Sequence, residues 1–191
     1  MTGTPRIPCA SPPQQDKALL RSTLKARRGA IAPALKQDWD ARIGARVLAW
    51  LQANPQDILA VYWPLAGEQD LLPAYGKMAA QGVRLALPVV VKRHAALGFA
   101  EWMPGEETVA DRLGVAVPKA LRMIARPPAL LIPCLGFNAL GYRMGYGGGF
   151  YDRTLAPHPR PLTVGVAYAC QLVDFNGDAH DVPLDRVITE E

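Results

Sequence analysis

Residues 141–152 combine glycines, a basic side chain and a carboxylate in a pattern suited to binding phosphate. The glycine cluster consists of Gly145, Gly147, Gly148 and Gly149. Glycine lets the backbone adopt positive φ and approach a ligand closely, and exposed amides at the start of a helix attract an anion. Arg143 adds a guanidinium that can contact two phosphate oxygens, and the Asp152 carboxylate suits a hydrated Mg²⁺. The segment therefore predicts a site for a phosphorylated ligand.

Neither of the two most familiar phosphate-binding sequences occurs in this segment. A Walker loop needs Gly-Lys followed by Ser or Thr, whereas Gly149 is followed by Phe150. A dinucleotide-binding fingerprint needs a third glycine where Phe150 stands. A flexible glycine turn is the alternative interpretation. If the loop binds phosphate, the positive charge that a Walker lysine would supply must come from elsewhere in the chain.

The most basic stretch lies near the start of the chain, where a helix is predicted from its N-cap, Asp16, to about Arg28. Basic residues recur along this helix at steps of four, four and three, which places them on one face: Lys17, Arg21, Lys25 and Arg28. A solvated helix face is one interpretation of this stripe. The other is that Lys17 and Arg21 reach a polyphosphate, which makes this helix the expected partner of the glycine loop.

Length and composition predict one domain. The chain has 191 residues, of which 50% are hydrophobic, enough to bury a substantial core. We expect residues 1–15, which include four prolines, to form a disordered arm, and residues 16–191 to form the single domain. No run of 18 or more apolar residues is present, so we expect a cytoplasmic protein without a membrane segment. Residues 1–54 hold nine basic and three acidic residues, which points to an anionic ligand.

The cysteines and histidines predict neither a disulfide framework nor a metal cluster. The 3 cysteines are widely spaced without a Cys-x-x-Cys pair, and the 3 histidines are scattered. No serine or histidine has an evident catalytic partner, so covalent catalysis is not expected. Cys134 follows a predicted strand, but no neighbouring charge in the sequence would clearly lower its pKa, and we expect an inert thiol.

Helical and apolar patterns alternate along the chain, as in a layered α/β domain. A second helix is expected to begin near Pro33, with Trp39 and Trp50 on its apolar side, and a third to cover residues 70–81. Apolar runs predict strands over residues 58–62, 84–91, 97–102, 129–133 and 162–167. The tail from 174 to 191 shows no clear helix.

The loop after the first predicted strand contains two further candidate site residues, Trp63 and Glu68. Loops after the carboxyl ends of parallel strands bind ligands in open α/β sheets. A turn tryptophan and a solvated glutamate are the alternative interpretations. Asp181, in the tail, is either a turn residue or a second carboxylate near Mg²⁺.

Segments 131–138 and 141–155 together resemble the signature of the 5-formyltetrahydrofolate cyclo-ligase family, whose members are also called methenyltetrahydrofolate synthetases. Weaker matches follow in the same order along nearly the whole chain: Lys17 with Arg21, Tyr62-Trp63-Pro64 with Glu68, Leu87-Pro88, Phe99 with Trp102, residues 164–168 with Gln171, and Asp181. The chain departs from the family pattern at two positions. Asn138 stands where the family usually has Asp, so this side chain carries no charge, and Phe150 stands where the family usually has Tyr.

The resemblance implies a cytoplasmic enzyme that uses ATP and Mg²⁺ to convert 5-formyltetrahydrofolate into 5,10-methenyltetrahydrofolate, with release of ADP and phosphate. It also implies a Rossmann-like sheet of the kind shared by sugar-phosphate isomerases and coenzyme A transferases. We therefore predict a single-domain α/β fold with a layered, mostly parallel sheet and an N-terminal helical pair. The expected partner is a small-molecule folate, with or without a polyglutamate tail. We expect a monomer with no nucleic-acid or membrane partner.

The resemblance also implies roles for individual residues. Arg143 and Lys17 are the expected catalytic residues, and Asp152 and Asp181 are the expected Mg²⁺ ligands. The residues expected to bind ATP are Lys17, Arg21, Arg143, Gly145, Tyr146, Gly147, Gly148, Gly149, Phe150 and Tyr151. The residues expected to bind the folate are Trp63, Glu68, Phe99, Trp102, Tyr146 and Tyr151. Phe99 and Trp102 fall on opposite faces of an ideal strand, so at most one of them is expected to point into the site.

Three other functions are compatible with the same features of the sequence. A nucleic-acid-binding module could use the basic N-terminal half, although the aromatic residues are not interleaved with the basic stripe as a stacking platform requires. A sugar-phosphate isomerase or an acyl-CoA transferase would use the glycine loop to bind substrate phosphate without Mg²⁺. A folate- or nucleotide-binding protein without catalysis would keep the site and lack turnover.

Overall fold

The computed structural model describes residues 16–191, and the arm predicted for residues 1–15 lies outside the described residues. The helices are α1 (Lys17–Gly29), α2 (Pro33–Ala53), α3 (Leu72–Ala80) and α4 (Phe150–Leu155), with a 3-10 helix, η1, at Ala169–Gln171. The strands are β1 (Ile58–Ala60), β2 (Arg84–Val89), β3 (Gly98–Trp102), β4 (Thr108–Ala110), β5 (Ala116–Pro118), β6 (Arg122–Ile124), β7 (Ala129–Pro133), β8 (Gly136–Phe137), β9 (Arg143–Met144), β10 (Leu162–Val166) and β11 (Arg186–Ile188).

A sheet of seven strands runs through the centre of the domain in the order β11-β10-β7-β1-β2-β3-β6. The strands from β11 to β2 are parallel to one another, whereas β3 is antiparallel to β2 and β6 is antiparallel to β3. The register pairs Ala60 of β1 with Ala86 of β2 on one side and with Leu130 of β7 on the other. The predicted α/β domain with a mostly parallel sheet is confirmed.

Both faces of the sheet are covered, as is usual for parallel sheets. Helices α2 and α3 cover one face, where Val47 and Met78 join a buried cluster that includes Leu131. The other face carries a second cluster, which contains Leu130 and Leu155 of α4. Because successive strand residues point to opposite faces, Leu130 and Leu131 of β7 enter different clusters. Within residues 16–191, no helix combines the length and apolar composition needed to cross a membrane.

Local signals in the sequence predict several helix ends and core positions correctly. Asp16 caps α1, because its Oδ1 accepts hydrogen bonds from two backbone N–H groups of the first turn at 2.8 and 3.2 Å. Pro33 is the first residue of α2. Trp50 is buried in the core and Trp39 packs against the same cluster. Gly82, with a φ of 88°, follows the end of α3.

The sequence patterns do not predict β4, β5, β6, β8, β9 and β11, none of which has more than three residues. A strand this short shows no readable period and depends on the strand with which it pairs. The last of them, β11, lies in the tail and pairs with β10. The antiparallel strands β8 and β9 lie between β7 and the glycine loop. These strands give regular structure to segments for which the sequence predicts none.

Candidate functional site

A cavity of about 530 Å³ lies at the carboxyl ends of β1, β2 and β7. Trp63 and Glu68 line it from the loop after β1, Pro88 from β2 and Pro133 from the end of β7. In open α/β sheets this edge is where ligands bind. Helix α1 and the glycine loop, residues 145–149, also contribute to the cavity wall.

The part of the cavity wall formed by α1, β9 and the glycine loop carries positive charge. Lys17 and Arg21 of α1 and Arg143 of β9 line it together with residues 145–149. The Arg21 Nε donates a hydrogen bond of 2.9 Å to the carbonyl oxygen of Gly145, which is 124 residues away in sequence. The structure therefore places the basic helix against the glycine loop. This is the expected arrangement, because the loop has no Walker lysine and needs positive charge from elsewhere in the chain.

The glycine loop requires glycine for its backbone conformation, and it lies directly against α1. Gly147 and Gly149 have φ angles of 92° and 62°, in the left-handed region that other residues rarely adopt. An added Cβ at Gly147 would lie 3.5 Å from the Arg21 Cζ, in direct contact with that guanidinium. On α4, the Arg153 Nη2 donates to the Gly148 carbonyl oxygen at 2.6 Å. Because α4 has only six residues, its dipole adds little, and an anion would depend mainly on arginines and loop amides.

Arg143 is held in a fixed orientation at the cavity. Its side chain is 5% exposed, and its Nη2 donates to the Asp152 Oδ1 at 2.6 Å. Its Nη1 donates to the Val182 carbonyl oxygen at 2.8 Å, and its Cζ lies 5.8 Å from the centroid of the Tyr151 ring. Charge-assisted hydrogen bonds of this kind are strong, and desolvation strengthens the interaction of a cation with a nearby anion. Arg143 is therefore suited to act as a preorganised electrostatic stabiliser.

Lys17 is surrounded by carboxylates. Its Nζ lies 2.6 Å from the Asp178 Oδ2 and 3.3 Å from the Asp181 Oδ2. Burial lowers the pKa of Lys17, but hydrogen bonds to these two carboxylates outweigh that effect, and the pKa stands above its ordinary value. Lys17 is therefore charged at neutral pH. Asp152 lies close to Asp181 in space, since its Oδ1 accepts a hydrogen bond of 3.4 Å from the N–H of Val182.

The two predicted Mg²⁺ ligands, Asp152 and Asp181, both line the cavity. Among residues 16–191, no three or more His, Cys, Asp or Glu side chains are grouped so that they could hold a metal ion. Mg²⁺ is commonly bound through one or two carboxylates together with substrate phosphates. The donor set here therefore suits an ion shared with a bound phosphate, rather than a site formed by the protein alone.

A second polar pair lies where the loop after β1 meets the glycine loop. The Tyr146 hydroxyl donates to the Glu68 Oε1 at 2.6 Å, and the Glu68 Oε2 accepts from the N–H of Leu65 at 2.8 Å. Glu68 is buried. Burial raises the pKa of Tyr146 and the negative charge of Glu68 raises it further, so the hydroxyl stays protonated at neutral pH. Trp63 and Tyr151 line the cavity nearby as flat aromatic surfaces.

Phe99 and Trp102, which are predicted to contact the folate, do not line the cavity. Both are buried, at 1% and 4% exposure, but they belong to the two different core clusters that cover the two faces of the sheet. Trp102 packs edge-on against Tyr75 and Trp63, with ring centroids 6.5 and 5.8 Å apart. The alternation of β3 places Phe99 and Trp102 on opposite faces of the sheet, as expected, and the layers that cover both faces bury them.

Several residues of the cavity wall are not singled out by any pattern in the sequence. Apolar side chains come from the ends of β2 and β3 and from the β4–β5 hairpin: Val90, Leu97, Leu113 and Val115. Val90 and Leu97 fall within predicted strands, but nothing in the sequence marks them as site residues. Leu113 and Val115 belong to a hairpin whose strands are too short to be predicted. Asp178 is a further carboxylate of the wall, and its position three residues before Asp181 is the signal that could have identified it.

Asn138, which replaces the usual Asp of the family pattern, is buried in the turn between β8 and β9. Its Oδ1 accepts hydrogen bonds of 3.0 Å from the N–H groups of Leu140 and Tyr142. Its Nδ2 donates to the Phe175 carbonyl oxygen at 2.8 Å. A carboxylate could accept the first two bonds but could not donate the third. The side chain therefore stabilises the turn and does not line the cavity.

Cys134 is fully packed at the end of β7, and its Sγ donates to the Ile132 carbonyl oxygen at 3.4 Å. Burial raises the pKa of this thiol to about 12. The thiolate, which is the nucleophilic form, is therefore scarce at neutral pH. The inert thiol predicted from the sequence agrees with this environment.

The sequence is similar to those of known folate enzymes along nearly its whole length. Residues 13–190 match the sequence profile of the 5-formyltetrahydrofolate cyclo-ligase family. The 5-formyltetrahydrofolate cyclo-ligase of Escherichia coli strain K12 is 32% identical over 174 residues, which cover 87% of this chain and 96% of that protein. The 5-formyltetrahydrofolate cyclo-ligase of Mycoplasma pneumoniae is 27% identical over 179 residues, which cover 92% of this chain and 99% of that protein.

The fold is likewise similar to solved structures of methenyltetrahydrofolate synthetases. The 5,10-methenyltetrahydrofolate synthetase from Mycoplasma pneumoniae has a TM-score of 0.79 at 26% identity, covering 93% of this chain and 100% of that chain. The 5,10-methenyltetrahydrofolate synthetase from Aquifex aeolicus has a TM-score of 0.79 at 25% identity, covering 92% of this chain and 90% of that chain. The similarity therefore extends over nearly the whole chain.

Proposed function

The chain belongs to the 5-formyltetrahydrofolate cyclo-ligase family, and on that premise we propose that it converts 5-formyltetrahydrofolate into 5,10-methenyltetrahydrofolate, using ATP and Mg²⁺ and releasing ADP and phosphate. The observation that carries the proposal is the composition of one cavity. Its wall combines three cations, from Lys17, Arg21 and Arg143, with the Glu68–Tyr146 pair. The three cations suit a polyphosphate, and the Glu68–Tyr146 pair suits a heterocycle with hydrogen-bonding nitrogens.

The reaction needs activation because the formyl group of the substrate is an amide. Its carbonyl carbon is a poor electrophile and its oxygen is a poor leaving group. In the proposed reaction the formyl oxygen attacks the γ-phosphorus of ATP and ADP leaves. The neighbouring N10 then attacks the formyl carbon, loses its proton, and phosphate departs to give the cyclic methenyl cation. In this reaction the protein mainly positions the reactants and neutralises negative charge on the phosphates.

Arg143 and Lys17 are the proposed catalytic residues. The Arg143 guanidinium, already oriented by Asp152 and by the Val182 carbonyl, stabilises charge on the phosphoryl group as it transfers. Lys17 and Arg21 hold the outer phosphates, and the amides of residues 145–149 complete the phosphate site. Tyr151 and Phe150 provide aromatic surface next to the nucleotide.

Asp152 and Asp181 are the proposed ligands of Mg²⁺, which when bound neutralises negative charge on the phosphate oxygens. In the structure these carboxylates are neutralised by the two catalytic cations, Arg143 and Lys17. Their oxygens therefore already lie beside the groups that we assign to the phosphates. This proximity supports a shared site for the phosphates and the ion.

The folate is proposed to lie against Trp63, Glu68, Tyr146 and Tyr151. Glu68 accepts hydrogen bonds from the pterin nitrogens, and the Tyr146 hydroxyl keeps that carboxylate aimed at the cavity. Trp63 and Tyr151 supply flat surfaces for the rings. The apolar wall formed by Val90, Leu97, Leu113 and Val115 leaves room for the benzoyl part of the substrate.

We further propose that residues 16–191 form one Rossmann-like domain in which α1 and α2 are the N-terminal helical pair. The parallel strands with loops at their carboxyl ends support this comparison. One chain supplies every part of the cavity wall described above, which is compatible with a monomer. The dependence on ATP is compatible with a cytoplasmic enzyme.

The proposal is tested by mixing the protein with Mg²⁺, ATP and 5-formyltetrahydrofolate and following the methenyl chromophore together with ADP. We expect the two products in equal amounts, and neither when ATP or Mg²⁺ is omitted. No ATP-dependent methenyl product at high protein concentration would overturn the proposal. Binding of both ligands without turnover would instead support a non-catalytic binding protein.

A further inference from the structure

Arg28, the last of the four basic residues on α1, is a buried cation without a carboxylate partner. Its residue exposure is 7%. Of the ion pairs within residues 16–191, none includes Arg28. Its Nη2 donates to the Ala66 carbonyl oxygen at 3.2 Å, and its Nη1 is buried without a hydrogen-bond partner among the described residues. Burying a charge in this way is costly unless nearby groups compensate for it.

The groups that compensate belong to the loop after β1 and to the glycine loop. The guanidinium lies against the turn from Leu65 to Glu68, in which the Glu68 N–H donates to the Leu65 carbonyl oxygen at 2.9 Å. Gly67 in this turn has a φ of 79°, and a Cβ added there would lie 3.2 Å from the Arg28 Nε. The Arg28 Cζ lies 5.9 Å from the centroid of the Tyr146 ring, within the range of a cation–π contact.

The two elements that Arg28 contacts are the two that hold the Glu68 carboxylate. One Glu68 oxygen accepts from the Leu65 N–H in the turn, and the other accepts from the Tyr146 hydroxyl. Arg28 itself is absent from the cavity wall. A buried cation that is absent from the cavity wall thus touches both supports of a buried carboxylate.

Stabilisation of the helix end does not account for this burial. Arg27 and Arg28 both lie in the last turn of α1, where a cation interacts favourably with the helix dipole. Arg27 does so while exposed, and its Nη1 donates to the Cys170 carbonyl oxygen at 2.7 Å. A surface position would therefore serve the helix equally well, and the burial of Arg28 needs a different reason.

We infer that Arg28 is a positioning residue for the Glu68–Tyr146 pair and thereby sets the affinity for the folate without touching it. This inference rests on the proposed function of the cavity. It assigns different tasks to three of the four residues in the basic stripe of α1. Lys17 and Arg21 face the phosphate side, whereas Arg28 supports the pair that faces the pterin. One helix then couples the geometry of both substrate positions.

The test measures binding of 5-formyltetrahydrofolate and of ATP separately, together with KM and kcat, in four proteins: the wild type, Arg28→Met, Arg28→Lys and Arg27→Met. We expect Arg28→Met to weaken folate binding by about tenfold or more, because the supports of a buried carboxylate loosen, and to change ATP binding by less than about threefold. Arg28→Lys should recover most of the folate affinity, since it restores a buried cation. Arg27→Met, which removes the same charge from the same helical turn, should resemble the wild type.

The outcomes separate this inference from the proposed function. If the wild type neither binds the folate nor forms the methenyl product, the proposed function fails. If the wild type is active and Arg28→Met binds the folate normally, or loses folate and ATP affinity equally, the positioning role fails alone. Thermal unfolding of each variant checks that the fold is intact. If Arg28→Met does not fold, Arg28→Gln takes its place, because glutamine keeps an amide donor without the charge. The positioning role then requires that Arg28→Gln weakens folate binding more than ATP binding.

Discussion

The Arg143 Nη2 donates to the Asp152 Oδ1 at 2.6 Å, so the cation assigned to phosphate and the carboxylate assigned to Mg²⁺ bind each other across the glycine loop. Removing one partner leaves the other charge without its compensating group. Loss of one partner of a buried ion pair is usually strongly destabilising for that reason. Substitutions at these positions therefore need readouts that separate folding from catalysis.

Arg143→Ala is expected to lower kcat by about 10²-fold or more, because it removes a preorganised charge stabiliser from the transferring phosphoryl group. The measurement is the steady-state rate of methenyl formation by a variant whose fold is confirmed by thermal unfolding. Arg42→Ala is the matched control, since Arg42 is exposed on α2 and pairs only loosely with Asp38 at 3.9 Å. Near-native kcat in Arg143→Ala would reject Arg143 as a catalytic residue.

Asp152→Asn is expected to raise the Mg²⁺ concentration needed for half-maximal rate by about tenfold or more, because it replaces a charged carboxylate ligand of the ion with a neutral amide. The amide oxygen can still accept from Arg143, so that side chain should keep its orientation. The measurement is a Mg²⁺ titration at saturating ATP and folate. Asp38→Asn on the exposed surface of α2 is the control. An unchanged titration would remove Asp152 from the metal site.

Tyr146→Phe is expected to raise KM for 5-formyltetrahydrofolate by about tenfold, because it leaves one oxygen of the buried Glu68 without its donor. The ring is retained, so contacts with the nucleotide should change less, and KM for ATP should rise by less than about threefold. Tyr142→Phe removes a hydroxyl outside the cavity and serves as the control. Equal rises in both KM values would contradict the specific assignment of this hydroxyl to Glu68.

Trp102→Phe is expected to reduce stability without weakening folate binding. The smaller ring leaves a void in the core, at a cost of about 1–3 kcal/mol in the free energy of unfolding. No hydrogen bond is lost, because the indole Nε1 has no partner among the described residues. Chemical denaturation measures the loss of stability, and KM for the folate measures the effect on folate binding. Trp63→Ala provides the contrast, since it should raise that KM. A large rise of that KM in Trp102→Phe would instead support a contact between Trp102 and the folate.

Cys134→Ala is expected to keep kcat within about twofold of the wild type, because a thiol with a raised pKa cannot serve as a nucleophile. Burial raises this pKa to about 12, so the thiolate forms only as the pH approaches that value. Between pH 6 and pH 9, the pH–rate profiles of the wild type and of Cys134→Ala should therefore superimpose. If the rate of the wild type alone changed with pH within that range, the Cys134 thiol would have to titrate during catalysis.

Features that depend on short-range physics can be predicted from the amino-acid sequence of this protein. Helix ends followed from local caps such as Asp16, and the longer strands followed from their apolar runs. The glycine loop lacks a Walker lysine, and a phosphate site needs positive charge. Because α1 carries a basic stripe, the sequence predicts that Lys17 and Arg21 supply this charge. The contact of Arg21 with Gly145 agrees with that reasoning.

Features that depend on packing between distant segments emerge only in the folded protein. The strand order and the short strand β11 arise from pairing with partners far away in sequence, so no local pattern contains them. Phe99 and Trp102 are excluded from the cavity because both faces of the sheet are covered by other elements. Likewise, Arg28 resembles Arg27 in sequence, and only the packing of α1 against Gly67 and Tyr146 buries one and leaves the other exposed. Burial is a property of the whole assembly of elements, and so the chemistry that burial controls is decided there.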